Sequence, residues 1–189
     1  MKKLTFALLS LTLICSTLST FAQSDADMKA MMAYAAPGDI HQLLSKSAGA
    51  WKADISMWMQ PGAQPVNSTA EATYEMILGG RYLQSKKTGN FFGMPFEGIG
   101  TIGYDNTKKV FVTTWLDNMG TGIMYLTGPW DSATKSINFT GMMVDPTAGK
   151  EVPVRQVIKF VDDNTQTMEM YSVVQGKEFK NMEMKLTRK

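Results

Sequence analysis

The chain has 189 residues, a length that suits one domain with a single hydrophobic core. It carries 19 Lys and Arg residues against 17 Asp and Glu residues, and Lys2 and Lys3 account for the difference. The remainder is neutral, which argues against a nucleic-acid-binding protein and against electrostatic docking on anionic membranes. Cys15 and His41 are the only residues of their types, so a Cys-rich zinc site, an iron–sulfur cluster and a two-histidine metal site within one chain are excluded.

Residues 1–22 predict a signal peptide. Two lysines precede an apolar stretch over residues 4–18, and Thr20 and Ala22 place small residues at the −3 and −1 positions of a cleavage site. The apolar stretch is shorter than a membrane-spanning helix. Ile14, before Cys15, departs from the small residue that a lipoprotein signal requires. We therefore expect a periplasmic or secreted protein whose mature chain has no transmembrane span.

Residues 23–48 predict an N-terminal helical segment. A short helix is expected after Pro37-Gly38, since Ile40 and Leu44 share one helical face and Asp39 can cap its start. His41 lies on the polar face of this helix, where we expect a solvent-exposed or capping histidine.

From residue 49 onward the hydrophobic pattern has a period of two, which is typical of strands with one buried face. In the first strand Trp51, Ala53 and Ile55 alternate with Lys52 and Asp54. Such segments lie near residues 51–59, 69–78, 80–87, 98–104, 108–117, 121–129, 135–144, 152–162, 166–175 and 178–187.

Short turns rich in Asp, Asn and Gly separate these segments, and no helical stretch intervenes, so neighbouring strands should be antiparallel. A long meander exposes two edges unless it closes on itself. Residues 49–189 therefore predict an all-β, antiparallel up-and-down barrel of about 8–10 strands with an N-terminal helical cap.

The longest irregular connection is expected between Gly89 and Gly98. An apolar loop of this length suggests a lid over the barrel. The expected lid residues are Phe91, Phe92, Met94 and Phe96.

Residues 98–103 match the G-x-G-x-x-G pattern of dinucleotide-binding proteins. That function requires a helix after the motif, whereas a hairpin turn follows here. We expect the glycines to lie where a strand bends or meets a neighbour closely.

Several motifs give the chain a resemblance to a known family. Gly49-Ala50-Trp51 follows a short helix and opens the first strand, like the Gly-x-Trp motif of lipocalins and related calycin barrels. Further matching motifs are Leu78-Gly79-Gly80-Arg81-Tyr82-Leu83, Pro95-Phe96-Glu97-Gly98, Gly103-Tyr104-Asp105 and Trp115-Leu116-Asp117. Over residues 40–187 the chain resembles exported bacterial calycin-like proteins of unassigned function.

This resemblance implies a calycin-like barrel whose floor is closed by Trp51, and it implies no activity. The related haem-binding barrels, the nitrobindins, hold iron through a barrel histidine. The chain has no histidine after His41, so that role does not carry over.

Methionine is unusually abundant, with 16 residues. Met57 and Met59, Met168 and Met170, and Met182 and Met184 form pairs at strand spacing, and charged residues on the alternate face of the last two pairs indicate that the methionines point inward. Flexible thioethers suit an adaptable apolar pocket, and clustered thioethers suit Cu(I). Ordinary core filling is the third interpretation.

We expect non-catalytic binding of a small hydrophobic molecule inside the barrel, without a cofactor unless the methionines hold Cu(I). The expected ligand-binding residues are Trp51, Met57, Met59, Tyr74, Met76, Met168, Met170, Met182 and Met184. One alternative is an isomerase or hydrolase that uses Glu97 and Asp117 with Arg81 at the barrel mouth. The other is a packed structural or partner-binding barrel with Trp58 and Trp115 exposed.

Overall fold

The computed structural model describes residues 24–189, so the predicted signal peptide lies outside the described residues. Helices α1 (Asp25–Ala35) and α2 (Asp39–Ser45) precede the strands. The strands are β1 (Gly49–Met57), β2 (Val66–Ile77), β3 (Tyr82–Phe91), β4 (Met94–Asp105), β5 (Val110–Asp117), β6 (Met124–Gly128), β7 (Trp130–Asp131), β8 (Ser136–Asp145), β9 (Lys150–Asp162), β10 (Thr165–Val174) and β11 (Lys177–Arg188). Neither helix in residues 24–189 reaches the length and apolarity needed to cross a membrane.

Ten of the strands close into a barrel. Consecutive strands pair antiparallel from β1 to β6 and from β8 to β11. The pairing of β1 with β11 and that of β6 with β8 complete the ring, while β7 adds two residues beside β8. The predicted all-β, up-and-down barrel with a helical cap is confirmed.

The seam between β6 and β8 is the shortest contact in the ring. It has three residue pairs, centred on Leu126 and Gly141. A Cβ on Gly128 would overlap the carbonyl group of Asn138, and a Cβ on Gly141 would lie 2.9 Å from the Tyr125 carbonyl oxygen. The backbones approach closely because glycine occupies both positions.

Helix α2 closes one end of the barrel, which we call the floor. Leu44 of α2 and Trp51 of β1 are both fully buried there. The indole N–H of Trp51 donates to the Ser47 carbonyl (2.8 Å), and Gln166 donates to the Ser47 hydroxyl (2.7 Å). The Arg188 guanidinium lies over the Trp51 ring at 4.3 Å from its centroid. Trp51 thus bonds to the segment just after α2 and packs against the Arg188 cation.

His41 is buried in the floor rather than exposed. Its Nδ1 accepts a hydrogen bond from the Gly38 amide (2.9 Å) at the start of α2, and its ring meets Tyr104 edge to face. Burial lowers the pKa of His41, and the nearby Arg81 charge lowers it further. The capping role expected for His41 is present, but the expected exposure is wrong because α2 turns this face into the barrel.

The apolar segment predicted as an irregular lid is the tip of a hairpin. Phe91 and Met94 are paired strand residues, and only Phe92 and Gly93 form the turn. Both have positive φ angles, 49° and 82°, which is typical of a type I′ hairpin turn. Asn90 accepts a hydrogen bond from the Gly93 amide (2.8 Å). The loop prediction is wrong because a phenylalanine occupies a turn position where Asn or Asp is the usual signal.

Gly128→Ala is expected to lower the free energy of unfolding by about 3 kcal/mol, because the added Cβ forces the seam apart. Gly122→Ala is the matched control, since nothing lies within 4 Å of a Cβ there. Urea denaturation of both variants measures the effect. Equal destabilisation by the two substitutions would contradict the close approach at the seam.

Candidate functional site

The end opposite the floor, which we call the mouth, has no helix over it among residues 24–189. Burial along β3 shows which side chains face inward there. Leu83 and Ser85 are buried, and the same alternation continues through half-buried Lys87, Gly89 and Phe91. β3 therefore carries one line of side chains from the floor to the mouth.

Lys87 places a cation inside the barrel wall. Its ammonium lies 4.6 Å from the centroid of the Trp115 ring, 5.4 Å from that of the Tyr74 ring and 3.4 Å from the Ser85 hydroxyl. Within the described part of the chain, no carboxylate forms an ion pair with it. Burial lowers the pKa of Lys87 from 10.5 to about 8, because surroundings of low polarity disfavour the charged form.

Trp115 lies inside the barrel, so its predicted exposure is wrong. A Cβ on Gly98 would overlap its ring, and a Cβ on Gly100 would lie 3.1 Å from it. The glycines of β4 therefore leave the space that the indole fills, as expected for a strand that meets a neighbour closely. The indole N–H donates to Asp117 (2.7 Å), which fixes the orientation of the ring.

Aromatic rings continue from Trp115 to the hairpin tip. Trp115 stacks on Phe96 at 6.3 Å between ring centroids, Phe96 lies 6.2 Å from Phe91, and Phe91 lies 4.4 Å from Phe92. We call these four residues the aromatic run. Of the expected lid residues, Met94 alone is not part of it.

A groove with a volume of about 370 Å³ opens beside the outer end of the aromatic run. Its lining residues are Met57, Val66, Asn67, Ser68, Thr69, Asn90, Phe91, Phe92 and Gly93. Ligand pockets for small molecules commonly start at about this volume. The hairpin tip thus contributes one wall of the groove.

Three methionines form a row across neighbouring strands at the mouth. Met57 of β1 is opposite Met182 of β11, which is opposite Met170 of β10. All three are half-buried. We call them the methionine row. Met59 lies beyond the end of β1 with 68% of its surface exposed, so it does not extend the row.

The other expected ligand-binding residues lie deeper. Trp51, Tyr74, Met168 and Met184 are buried in the hydrophobic core, and Met76 packs against that core. They support the barrel from within and lie away from the groove.

The structure does not bring together the three polar residues that the sequence analysis considered for an enzyme. Arg81 precedes β3 at the floor end, where it donates to the Ala35 carbonyl (2.9 Å), so its predicted place at the mouth is wrong. Glu97 points outward and pairs with Lys86 (2.7 Å). Asp117 alone of the three points inward, because it follows Trp115 by two residues on the same strand face.

Lys87, Gln156 and Asn181 are inward-facing polar residues that sequence reasoning missed. The sequence signal for Lys87 was its even spacing from Leu83, because residues at even spacing lie on one face of a strand. Gln156 and Asn181 each bury a side-chain oxygen without a hydrogen-bond partner within residues 24–189. Asn181 is the extra residue of a β-bulge opposite Tyr171, which no sequence pattern indicated.

Residues 24–189 contain no group of three or more His, Cys, Asp or Glu side chains suited to a metal ion.

Lys87→Met is expected to raise the free energy of unfolding at neutral pH by on the order of 2 kcal/mol, because it removes an unpaired charge and keeps an unbranched side chain only one atom shorter. The folded-state pKa of Lys87 is below its ordinary value, so the unfolded state binds more protons between about pH 8 and 10.5. Stability of the unmodified protein should therefore rise across that interval, and the variant should lack this rise.

Urea denaturation at several pH values tests this expectation. Lys86→Met is the control, because Lys86 is exposed and pairs with Glu97 on the outer surface. A destabilised Lys87→Met variant with an unchanged pH slope would show that Lys87 is not a costly buried cation.

Comparison with a solved structure supports the fold. The chain is similar to the protein of "Crystal Structure of Rv2717c from M. tuberculosis", with 15% sequence identity, coverage of 82% of this chain and 99% of that chain, and a TM-score of 0.61. It is also similar to "Structure of a redesigned beta barrel, b11L5F_LGL", with 13% identity, coverage of 77% and 94%, and a TM-score of 0.42. Among curated proteins, none matches the sequence. The family described as Protein of unknown function (DUF1579) matches residues 36–188, and the chain belongs to that family.

Proposed function

We propose that the protein binds a small apolar molecule at the barrel mouth and does so without catalysis. The observation that carries this proposal is the meeting of the methionine row, the aromatic run and the groove at one open end of the barrel. Barrels of this size can hold one small ligand. Methionine side chains adapt to ligands of different shapes because they are unbranched and polarisable.

The difference between the two ends supports binding over simple packing. At the floor, Trp51, Phe111 and Leu44 have no exposed surface. At the mouth, Met57 and Phe91 are half-buried and line the groove. A closely packed floor and an accessible apolar mouth together suit a site that admits a ligand.

Met57→Gln is expected to weaken binding of Nile red, an uncharged apolar dye, about tenfold, because a polar amide replaces an apolar contact worth roughly 1.5 kcal/mol. Met59→Gln is the matched control, since Met59 is exposed outside the groove. A fluorescence titration gives the dissociation constants. If both variants bind the dye as tightly as the unmodified protein, the mouth is not the binding site.

We also propose that the chain is exported and cleaved after Ala22, a proposal that rests on the signal-peptide pattern of the first 22 residues. The protein isolated from its own cells should have the denatured mass of a chain that begins at Gln23. In native mass spectrometry it should carry an extra organic mass that is lost on denaturation. A chain that retains its first 22 residues would contradict export with cleavage, and an extra mass of one copper ion would favour a thioether metal site.

A further inference from the structure

The cation of Lys87 differs from the cations on the outer surface. Lys180 bonds to Glu183, and Arg155 bonds to both carboxylate oxygens of Glu178. Lys87 instead faces two aromatic rings and a hydroxyl, with no carboxylate in ion-pair distance among residues 24–189. Within residues 24–189, Lys87 thus keeps its positive charge inside the barrel without a carboxylate in ion-pair contact.

The groups around Lys87 leave its charge and its hydrogen-bonding capacity available. An ammonium can donate three hydrogen bonds, and the Ser85 hydroxyl at 3.4 Å is a long contact. Burial raises the pKa of Tyr74, so its phenol stays neutral. Asp117 is held by the indole N–H of Trp115 and the amide of Met119. A bound anion would therefore supply the ion-pair partner that Lys87 lacks among the described residues.

The aromatic run leads from this cation to the groove. Trp115 contacts Lys87 at one end of the run, and Phe91 and Phe92 line the groove at the other. Lys87 and Phe91 are four residues apart on β3, which corresponds to about 13 Å. An extended chain of about ten carbons has this length, given single bonds of about 1.5 Å in a zigzag.

We infer that the ligand of the mouth is an apolar molecule with a carboxylate head, of the size of a medium-chain fatty acid, and that Lys87 binds the carboxylate. The apolar chain lies along the aromatic run and ends at the groove beside Met57. This inference rests on the proposed function and adds the chemistry of the ligand head.

The test compares decanoate with decanol, which share the apolar chain and differ in the head group. Isothermal titration calorimetry at neutral pH measures both ligands on the unmodified protein, on Lys87→Met and on Lys86→Met. The unmodified protein should prefer decanoate to decanol at least tenfold. Lys87→Met should lose about tenfold in decanoate affinity and keep its affinity for decanol and Nile red. Lys86→Met should behave like the unmodified protein, because Lys86 lies on the outer surface.

The outcomes separate the inference from the proposed function. If the unmodified protein binds Nile red but does not prefer decanoate to decanol, the carboxylate inference is overturned and apolar binding stands. The inference is also overturned if Lys87→Met and Lys86→Met weaken decanoate binding equally. If the unmodified protein binds neither Nile red nor either ten-carbon ligand, the proposed function itself fails.

Discussion

Closure of the sheet at the seam between β6 and β8 is the constraint on which the rest of the structure depends. Three residue pairs join these strands, and Gly128 and Gly141 permit the backbones to approach. Without this seam the meander would have two exposed edges and no interior. With this seam, each strand has one face toward the interior and one toward the outside, and the two ends of the barrel become distinct.

The two ends of the barrel differ in packing and in accessibility. The floor is packed by Trp51, Leu44 and Phe111, and its buried polar groups find partners, as in the bonds of Ser47 with Trp51 and Gln166. The mouth side of the interior holds features that destabilise a fold, above all the unpaired cation of Lys87. Such features are typical of binding sites, where a ligand supplies what the protein alone lacks.

The sequence was sufficient to predict the barrel, because alternation over ten segments is a local signal that survives folding. The inward direction of Met170 and Met182 follows from the charged residues that alternate with the methionines along each strand and therefore lie on the opposite face. The place of Trp51 at the floor came from the family resemblance and agrees with its hydrogen bond to the Ser47 carbonyl, two residues after the end of α2.

The candidate site was less predictable, because it depends on which strand ends meet. Arg81 lies near Leu83 in the chain but at the floor, since β3 begins there. The Phe92-Gly93 turn is unusual for its type, so the sequence predicts a loop where the structure has a hairpin. A lysine in a strand is normally assigned to the outer face, and the contact of Lys87 with Trp115 depends on the registers of β3 with β4 and of β4 with β5.

The most direct test of the account locates the ligand by nuclear magnetic resonance. Methionine methyl groups labelled with carbon-13 report contacts at many points of the chain, and Nile red serves as the uncharged ligand. The account predicts that the methyl signals of Met57, Met170 and Met182 shift during the titration, while those of exposed Met28 and Met32 in α1 stay in place. Shifts confined to α1, or a saturating titration that leaves the methionine row unchanged, would contradict binding at the mouth.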